Sequence, residues 1–371
     1  MVWKVEKNLK IGKLLTFVPN KRLPIYNWIY FKEGFSRDLV LLLLKELGAK
    51  EGGVVLDPFC GVGTTLLACK ESGIDSIGFD VLPLAVFATR VKLRDYEVNR
   101  LNEVAKWLFS QKFTRQDVKS VPSWIRRFFL RATLEDVLHF KTLIEQIEDQ
   151  KIREFFLLAL MSATMKCSFV YKDGAVLKVR YHPVAPLKHM FKRIVRRMIK
   201  DIEKVRFKPC SYYVDYGDAR KLKLRSESVD CVITSPPYLN KIEYTRVYEI
   251  EQTLFIKDKP RPPLRTFFGL GEKRLTPPVE VPEEAAAYFV DLHAAISELR
   301  RVLVDGGKLA IVIGDGFVGG RVVEVLRLTA ELLDRVGMRV EKVIVANERI
   351  ATTPQRKKVG ILKEGIVIAE K

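Results

Sequence analysis

Ser235, Pro236, Pro237 and Tyr238 follow the apolar run Val229-Asp230-Cys231-Val232-Ile233-Thr234 and offer the groups needed to hold a planar amine. Each proline fixes its φ near about −65° and has no N–H, so the carbonyl between them can face a ligand as an acceptor. Ser235 adds a second acceptor and Tyr238 a ring face. An aromatic amine held in this way directs its nitrogen lone pair at any electrophile above it. A second segment, Val54-Val55-Leu56-Asp57-Pro58-Phe59-Cys60-Gly61-Val62-Gly63-Thr64-Thr65, runs from an apolar strand through a glycine turn into a helix over residues 64–71. That order is the first unit of a ligand-binding, doubly wound α/β domain. Gly61 and Gly63 allow close approach of the backbone to a ligand, and Asp80 ends the next strand, where an acid can bind ribose hydroxyls. A nicotinamide site would carry G-x-G-x-x-G, whereas this chain has D-P-F-C-G-V-G-T-T.

The second segment resembles the S-adenosylmethionine loop of class I methyltransferases. With the S-P-P-Y segment, the chain resembles amino-methyltransferases of the N4-cytosine and N6-adenine superfamily. A lone S-P-P-Y is a rigid turn in most proteins and a lone G-x-G a tight corner; both at strand ends in one chain are specific. The resemblance covers the first ninety or so residues and those from Ser211 onward. It implies an α/β fold, a Rossmann-like seven-stranded sheet with a helical insertion. It also implies that Asp57 sits near the methionine end of S-adenosylmethionine and that Pro58, Phe59, Gly61, Gly63, Thr64 and Thr65 form the loop around it. Asp80 and Val81 would meet the ribose, and Asp218 and Ala219 the adenine. Ser235, Pro236, Pro237 and Tyr238 would be catalytic. In this superfamily serine at the head of the loop goes with cytosine N4, aspartate more often with adenine N6, and asparagine with glutamine or guanine amines.

Composition agrees with a polyanionic substrate. The 371 residues carry 64 Lys and Arg against 45 Asp and Glu, a formal net charge of +19. Such an excess serves phosphate backbones, with a salt-dependent affinity. The 48% hydrophobic content fills a substantial core. Five cysteines are scattered without C-x-x-C spacing, which predicts neither a zinc site nor a disulfide framework and fits a reducing cytoplasm. No signal-peptide pattern opens the chain, and the run from Leu39 to Leu44 is far too short to span a bilayer. Abundant charge with sparse Asn and Gln is a bias associated with high temperature.

The elements that must position these loops divide the sequence into three parts. Residues 1–94 read as an N-terminal arm, a helix over 36–47 capped by Ser36, and the first half of the methyltransferase domain. Phe35-Ser36-Arg37 is the local match to the family segment that closes over the methionine moiety. Residues 95–210 read as amphipathic helices broken by a hairpin at Tyr171-Lys172-Asp173-Gly174-Ala175, an insertion a compact methyltransferase does not need. It carries Trp124, Arg126, Arg127 and Arg131. Its helix places Lys192, Arg193, Arg196, Arg197 and Lys200 three and four positions apart, hence on one face, where like charges repel unless a polyanion lies against them. Residues 211–371 supply the third strand at Tyr212-Tyr213-Val214-Asp215, the S-P-P-Y loop, and a helix carrying Asn240, Tyr244 and Arg246 toward substrate. A proline-rich stretch over 257–282 reads as a mobile functional loop. A glycine turn at Asp305-Gly306-Gly307, alternating strands and helices, and Asp315 bordering the site complete the chain. His182 has no evident partner and reads as structural.

The insertion layout is also similar to that of an archaeal group whose members include ribosomal RNA cytidine N4-methyltransferases. The expectation is therefore a cytidine N4-methyltransferase acting on RNA of the small ribosomal subunit, giving N4,N4-dimethylcytidine if the pocket admits a methylated amine. A site-specific DNA N4-cytosine methyltransferase is the alternative. A protein glutamine methyltransferase, or an inactive nucleic-acid-binding module, represents a different class.

Overall fold

The computed structural model describes residues 3–173, 176–239, 244–256, 276–352 and 358–371. It opens with β1 (Lys4–Lys7), three short 3-10 turns and α1 (Arg37–Glu46), whose first turn is capped by Ser36 accepting from the Leu39 amide at 3.2 Å. Then come β2 (Val54–Asp57), α2 (Thr64–Ser72), β3 (Asp75–Asp80) and α3 (Pro83–Leu93). The insertion comprises α4 (Val98–Ser110), α5 (Ser123–Arg126), α6 (Arg131–Glu145), α7 (Gln150–Lys166), the hairpin β4 (Val170–Asp173) and β5 (Val176–Val179), and α8 (Leu187–Lys204). The chain continues through β6 (Tyr212–Tyr216), β7 (Val229–Thr234), α9 (Tyr244–Val247), α10 (Glu249–Phe255) and α11 (Glu283–Val302). It closes with β8 (Leu303–Gly314), β9 (Gly316–Val318), β10 (Arg321–Val323), α12 (Val325–Arg335), β11 (Arg339–Thr352) and β12 (Lys358–Glu370).

The main sheet has the order β1-β11-β12-β8-β7-β2-β3-β6. From β6 to β8 the strands are parallel; β12 runs antiparallel between β8 and β11. This is the class I methyltransferase arrangement with one strand more than the seven expected: β1 pairs in parallel with β11, Lys4 opposite Lys342 to Lys7 opposite Val345. A second departure lies at residues 305–307. The expected glycine turn lies within one continuous strand, β8, that starts at Leu303: Val229 pairs with Leu303 and Cys231 with Lys308, so residues 304–307 bulge out of the β7 ladder, with Gly306 at φ +75°.

The parallel order fixes where a ligand can bind. β2 lies between β3 and β7, so the connections leave it in opposite directions and the crevice opens beyond the carboxyl ends of these strands. On one face of the sheet, α3 joins the insertion helices and the N-terminal arm in a single apolar core. Trp28, fully buried, packs edge-on to Phe155 of α7 and donates its indole N–H to Asp201 of α8 at 3.0 Å. The insertion therefore shares its core with the sheet. Helix α8 supports this with Leu187, Phe191, Ile194, Val195 and Met198 buried along one stripe. Among the described residues no helix is long and apolar enough to cross a membrane. The expected loop at 257–282 falls largely on residues 257–275, outside the described residues, as do Gly174, Ala175 and Asn240.

Candidate active site

Four strand ends converge on one cavity. Asp57 closes β2, Asp80 closes β3, Ser235 follows β7, and Gly217, Asp218 and Ala219 follow β6. These residues line it with Pro58, Phe59, Cys60, Gly61, Val62, Thr64, Val81, Leu82, Arg220 and Pro237, and with Phe31, Glu33, Gly34 and Phe35 from the arm. Gly63 and Thr65 act from behind the lining. Gly63 has φ +80° and starts α2; a Cβ there would lie 2.6 Å from Thr89 Cγ2. Gly61 has φ +51°, and a Cβ would lie 3.2 Å from the Phe31 ring, so glycine keeps this edge of the cavity open.

The two acids are held differently. Asp57 is buried and accepts the hydroxyls of Thr65 at 2.6 Å and Thr234 at 2.7 Å and the Phe59 amide at 3.2 Å. Thr234 is the last residue before the S-P-P-Y segment, so Asp57 couples the two loops. Asp80 accepts the amides of Gly61 and Leu82, both at 2.8 Å, and so fixes the glycine turn against its own strand. Burial pushes both carboxyls up to about 6, against the opposing effect of these hydrogen bonds. Above that pH both are anions, and such carboxylates suit hydroxyl and ammonium groups. These carboxylates and the open edge at Gly61 fit S-adenosylmethionine.

Asp218 is already engaged. It takes Arg220 at 2.6 Å, while the other side of that guanidinium reaches Asp291 at 2.6 Å. Burial works to raise the Asp218 carboxyl, but the hydrogen bonds and charge of Arg220 outweigh it and hold it below its ordinary value. Asp218, the residue expected to meet the adenine, is thus a carboxylate oriented by Arg220.

The S-P-P-Y segment divides. Ser235 and Pro237 line the cavity, Pro236 is buried, and Tyr238 turns aside. The Tyr238 hydroxyl donates to Glu364 of β12 at 3.0 Å, and its ring edge would meet a Cβ on Gly314 at 3.0 Å. The expected ring face for a base is here packed on the sheet. Tyr288 of α11 donates to the Pro237 carbonyl at 2.9 Å and pins the loop from outside. Asp315 does not border the cavity: it is buried and accepts the amides of Leu326 and Lys363, tying β12 to the start of α12. Phe35 of the expected arm match lines the cavity, Ser36 serves as helix cap, and Arg37 lies outside. Cys60 lines the cavity as a thiol that burial pushes well up, which suits no nucleophile.

The basic helix face also divides. Lys192, Arg193, Arg196 and Lys200 are exposed on α8, away from the cofactor cavity. Arg197 is half-buried and lines a separate cleft, so the expectation of one shared exposed face does not hold for it. Tyr244 opens α9, and only its backbone is described. The His182 ring meets the Arg180 carbonyl at 2.9 Å and the Phe169 ring, consistent with a structural role. Among the described residues no group of three or more His, Cys, Asp or Glu is placed to hold a metal.

The family model described as DNA methylase matches residues 4–86, from β1 into α3, and so includes Asp57, Gly61 and Asp80. The Type II methyltransferase M.BsoBI of Geobacillus stearothermophilus is 30% identical over 275 residues, 64% of this chain and 54% of that protein. The chain is similar to that methyltransferase over this stretch. The Type II methyltransferase M.AvaI of a Nostoc strain is 25% identical over 90% of this chain and 83% of its own length. M.MjaII of Methanocaldococcus jannaschii, also a Type II methyltransferase, is 24% identical over 77% and 71%. The alignment with M.BsoBI thus spans about half of that relative. A solved structure, YcgJ of Bacillus subtilis, covers 90% of this chain and 97% of its own at 11% identity and a TM-score of 0.36; the fold rests on the strand order and not on that likeness.

Sequence reasoning missed the residues that position the named ones. Thr234, Tyr288, Arg220, Phe31 and Glu33 carry no motif, although Thr234 abuts one. Their roles depend on contacts across 51 positions for Tyr288 and Pro237 and 177 for Thr234 and Asp57.

Proposed function

We propose that the chain transfers the methyl group of S-adenosylmethionine to the exocyclic N4 amine of cytosine in DNA. The observation that carries this reading is the single cavity shared by Asp57, Asp80, Ser235 and Pro237, where a cofactor-loop end and an amine-holding loop face one another. The family described as DNA methylase and the similarity to Type II methyltransferases favour DNA over the RNA and ribosomal substrate expected from the insertion layout. Serine at 235 supports cytosine over a glutamine side chain, for which asparagine would be expected.

The bound sulfonium supplies an electrophilic methyl group. Asp57 and Asp80, ionised above about pH 6, would hold its ammonium and ribose. Ser235 accepts a proton of the target amine, and a carbonyl of the proline pair accepts the second. Two such acceptors localise the nitrogen lone pair, which otherwise delocalises into the ring, and direct it at the methyl carbon. Tyr288 and the Asp57–Thr234 bond fix both loops, so orientation accounts for much of the rate. No base is needed before transfer, because the nitrogen becomes acidic only once alkylated.

The test supplies tritiated S-adenosylmethionine with duplex DNA, deproteinised ribosomal RNA, intact small ribosomal subunits and transfer RNA in separate reactions. Label in DNA is expected; label confined to RNA would restore the ribosomal reading, and label in none would remove the assignment.

A further inference from the structure

A cleft of about 690 Å³ lies beside the cofactor cavity, between the N-terminal arm and helices α7 and α8. Its lining has five cations, Lys21, Lys32, Lys166, Lys172 and Arg197, against two carboxylates, Glu33 and Glu251. Arg197 is the informative one. Its Nε and Nη2 are buried and have no hydrogen-bond partner among the described residues, and Asn27 Oδ1 and Glu251 Oε2, in the same cleft, are likewise unpartnered. Burial, with the nearby Arg193, holds the guanidinium below its ordinary value despite Asp201. Lys166 is lowered by burial and then by Arg197 and Arg193, so the cations in this wall repel one another. A fold that keeps an unsatisfied, partly buried guanidinium beside other cations forgoes stability unless an anion joins them.

The other basic hollow of the molecule provides a contrast. Arg90 bonds the Val214 carbonyl and Asp215, Arg94 bonds Glu154, Lys141 the Leu254 carbonyl and Arg153 the Ile147 carbonyl. Those cations are spoken for within the fold, as is Lys172 of the Arg197 cleft, which bonds Glu251 at 2.6 Å, whereas Arg197 Nε and Nη2 are not. In the Arg197 cleft, moreover, exposed rings stand at the rim. Tyr30 and Tyr171 are 49% and 45% exposed, with Lys21 4.5 Å from the first ring and Arg180 5.6 Å from the second. Cations alternating with open ring faces suit phosphates and bases. The cleft also leads to the chemistry. Glu33 lines both hollows and accepts the Tyr248 hydroxyl at 2.9 Å, and the Tyr248 ring stacks on Phe31 of the cofactor cavity at 5.1 Å.

We propose that this cleft binds the phosphodiester backbone of the strand beside its target base, with Arg197 and Lys166 on phosphate and Tyr30 and Tyr171 beneath neighbouring bases. The inference rests on the reading of the chain as a nucleic-acid methyltransferase and says where the strand enters. Arg197 carries the planar fork that matches a phosphate through two N–H groups, and the buried Nε and Nη2 meet a phosphate once the side chain turns out into the cleft.

The experiment uses the full chain and fluorescence anisotropy of a labelled single-stranded oligodeoxycytidylate over a range of salt. Arg197→Gln and Lys166→Gln are each expected to weaken binding about tenfold and to reduce the slope of log Kd against log salt by about 0.7 for each lost phosphate contact. Lys106→Gln, which removes an exposed charge from α4, should change Kd less than about twofold. Because Arg197 is unpartnered, Arg197→Gln should leave the melting temperature unchanged or raise it; a lowered melting temperature with an unchanged slope would mark a structural arginine and overturn the proposal. Wild-type affinity and slope in both cleft variants would also overturn it, while leaving the methyltransferase reading intact. If the wild-type chain binds neither this strand nor duplex DNA, both readings fall.

Discussion

Replacing Thr234 with valine removes one of two hydroxyls that hold the Asp57 carboxylate and keeps the side-chain shape. Thr234 donates to Oδ1 at 2.7 Å, and Thr65 to Oδ2 at 2.6 Å. Burial pushes Asp57 up to about 6, and these bonds keep it from rising further. A hydrogen bond to a charged group contributes about 1.5–3 kcal/mol, equivalent to about 1–2 pKa units. T234V should therefore place Asp57 at about 7–8, so that at pH 7 its ionised share falls from about nine-tenths to between about a half and a tenth. Only the ionised carboxylate attracts the cofactor ammonium. Apparent affinity for S-adenosylmethionine at pH 7 should drop about two- to tenfold and recover by about pH 9. Isothermal titration calorimetry across this range measures it, with the wild-type midpoint near pH 6. A variant whose Kd is worse by one factor at every pH, or whose midpoint does not move, refutes the coupling of Asp57 to the S-P-P-Y loop.

Gly63→Ala forces a side chain onto φ +80° with its Cβ 2.6 Å from Thr89. The backbone costs about 1–2 kcal/mol and overpacking about 1–3, so urea unfolding should show a loss of about 2–5 kcal/mol; a loss below about 1 would refute the packing of Thr89 on this turn. Ser235→Ala removes an acceptor from the cavity without touching the Asp57 and Asp80 networks. Methyl transfer should be lost while calorimetric cofactor affinity stays within about twofold, and joint loss of both would move Ser235 to the cofactor. Lys92 is buried, donates to the Val62 carbonyl at 3.0 Å, and is lowered by burial to about 7. The folded protein then binds fewer protons than the unfolded chain between about pH 7 and pH 10.4, so this lysine's contribution to stability becomes more favourable as pH rises through that window. Between pH 7 and pH 9 the wild type should gain up to about 2 kcal/mol relative to Lys92→Met, by urea unfolding; parallel pH profiles would show a lysine that stays charged.

Much of the fold was legible because its signals are local. Apolar runs ended by Asp, Gly or Ser marked β2, β3 and β7, and the loops at those ends are the cofactor and S-P-P-Y segments. Ser36 capped its helix as read, and β4 pairs antiparallel with β5 where a hairpin was expected. The eighth strand was not legible. Lys-Val-Glu-Lys has little apolar character, and β1 exists because β11 offers it an edge more than three hundred residues away. The reading of residues 305–307 as a turn was right in part: two glycines following an aspartate favour a corner, and although β8 runs through them, the β7 ladder skips from Leu303 to Lys308 and Gly306 takes φ +75°. At the site, residue types picked out Asp57, Asp80 and Ser235, which share one cavity, but did not give the orientation of side chains. Tyr238 faces Glu364 and Arg197 turns inward because of neighbours that no spacing rule specifies. The choice between DNA and RNA was illegible because the amine and its acceptors are the same in both.

The most direct test of the central claim is mass spectrometry of nucleosides from duplex DNA incubated with the full chain and S-adenosylmethionine, with Ser235→Ala in parallel. N4-methyldeoxycytidine formed by the wild type and absent with the variant is the predicted result. Methyl groups on adenine N6 or cytosine carbon five, or N4-methylcytidine formed only in RNA, would contradict it.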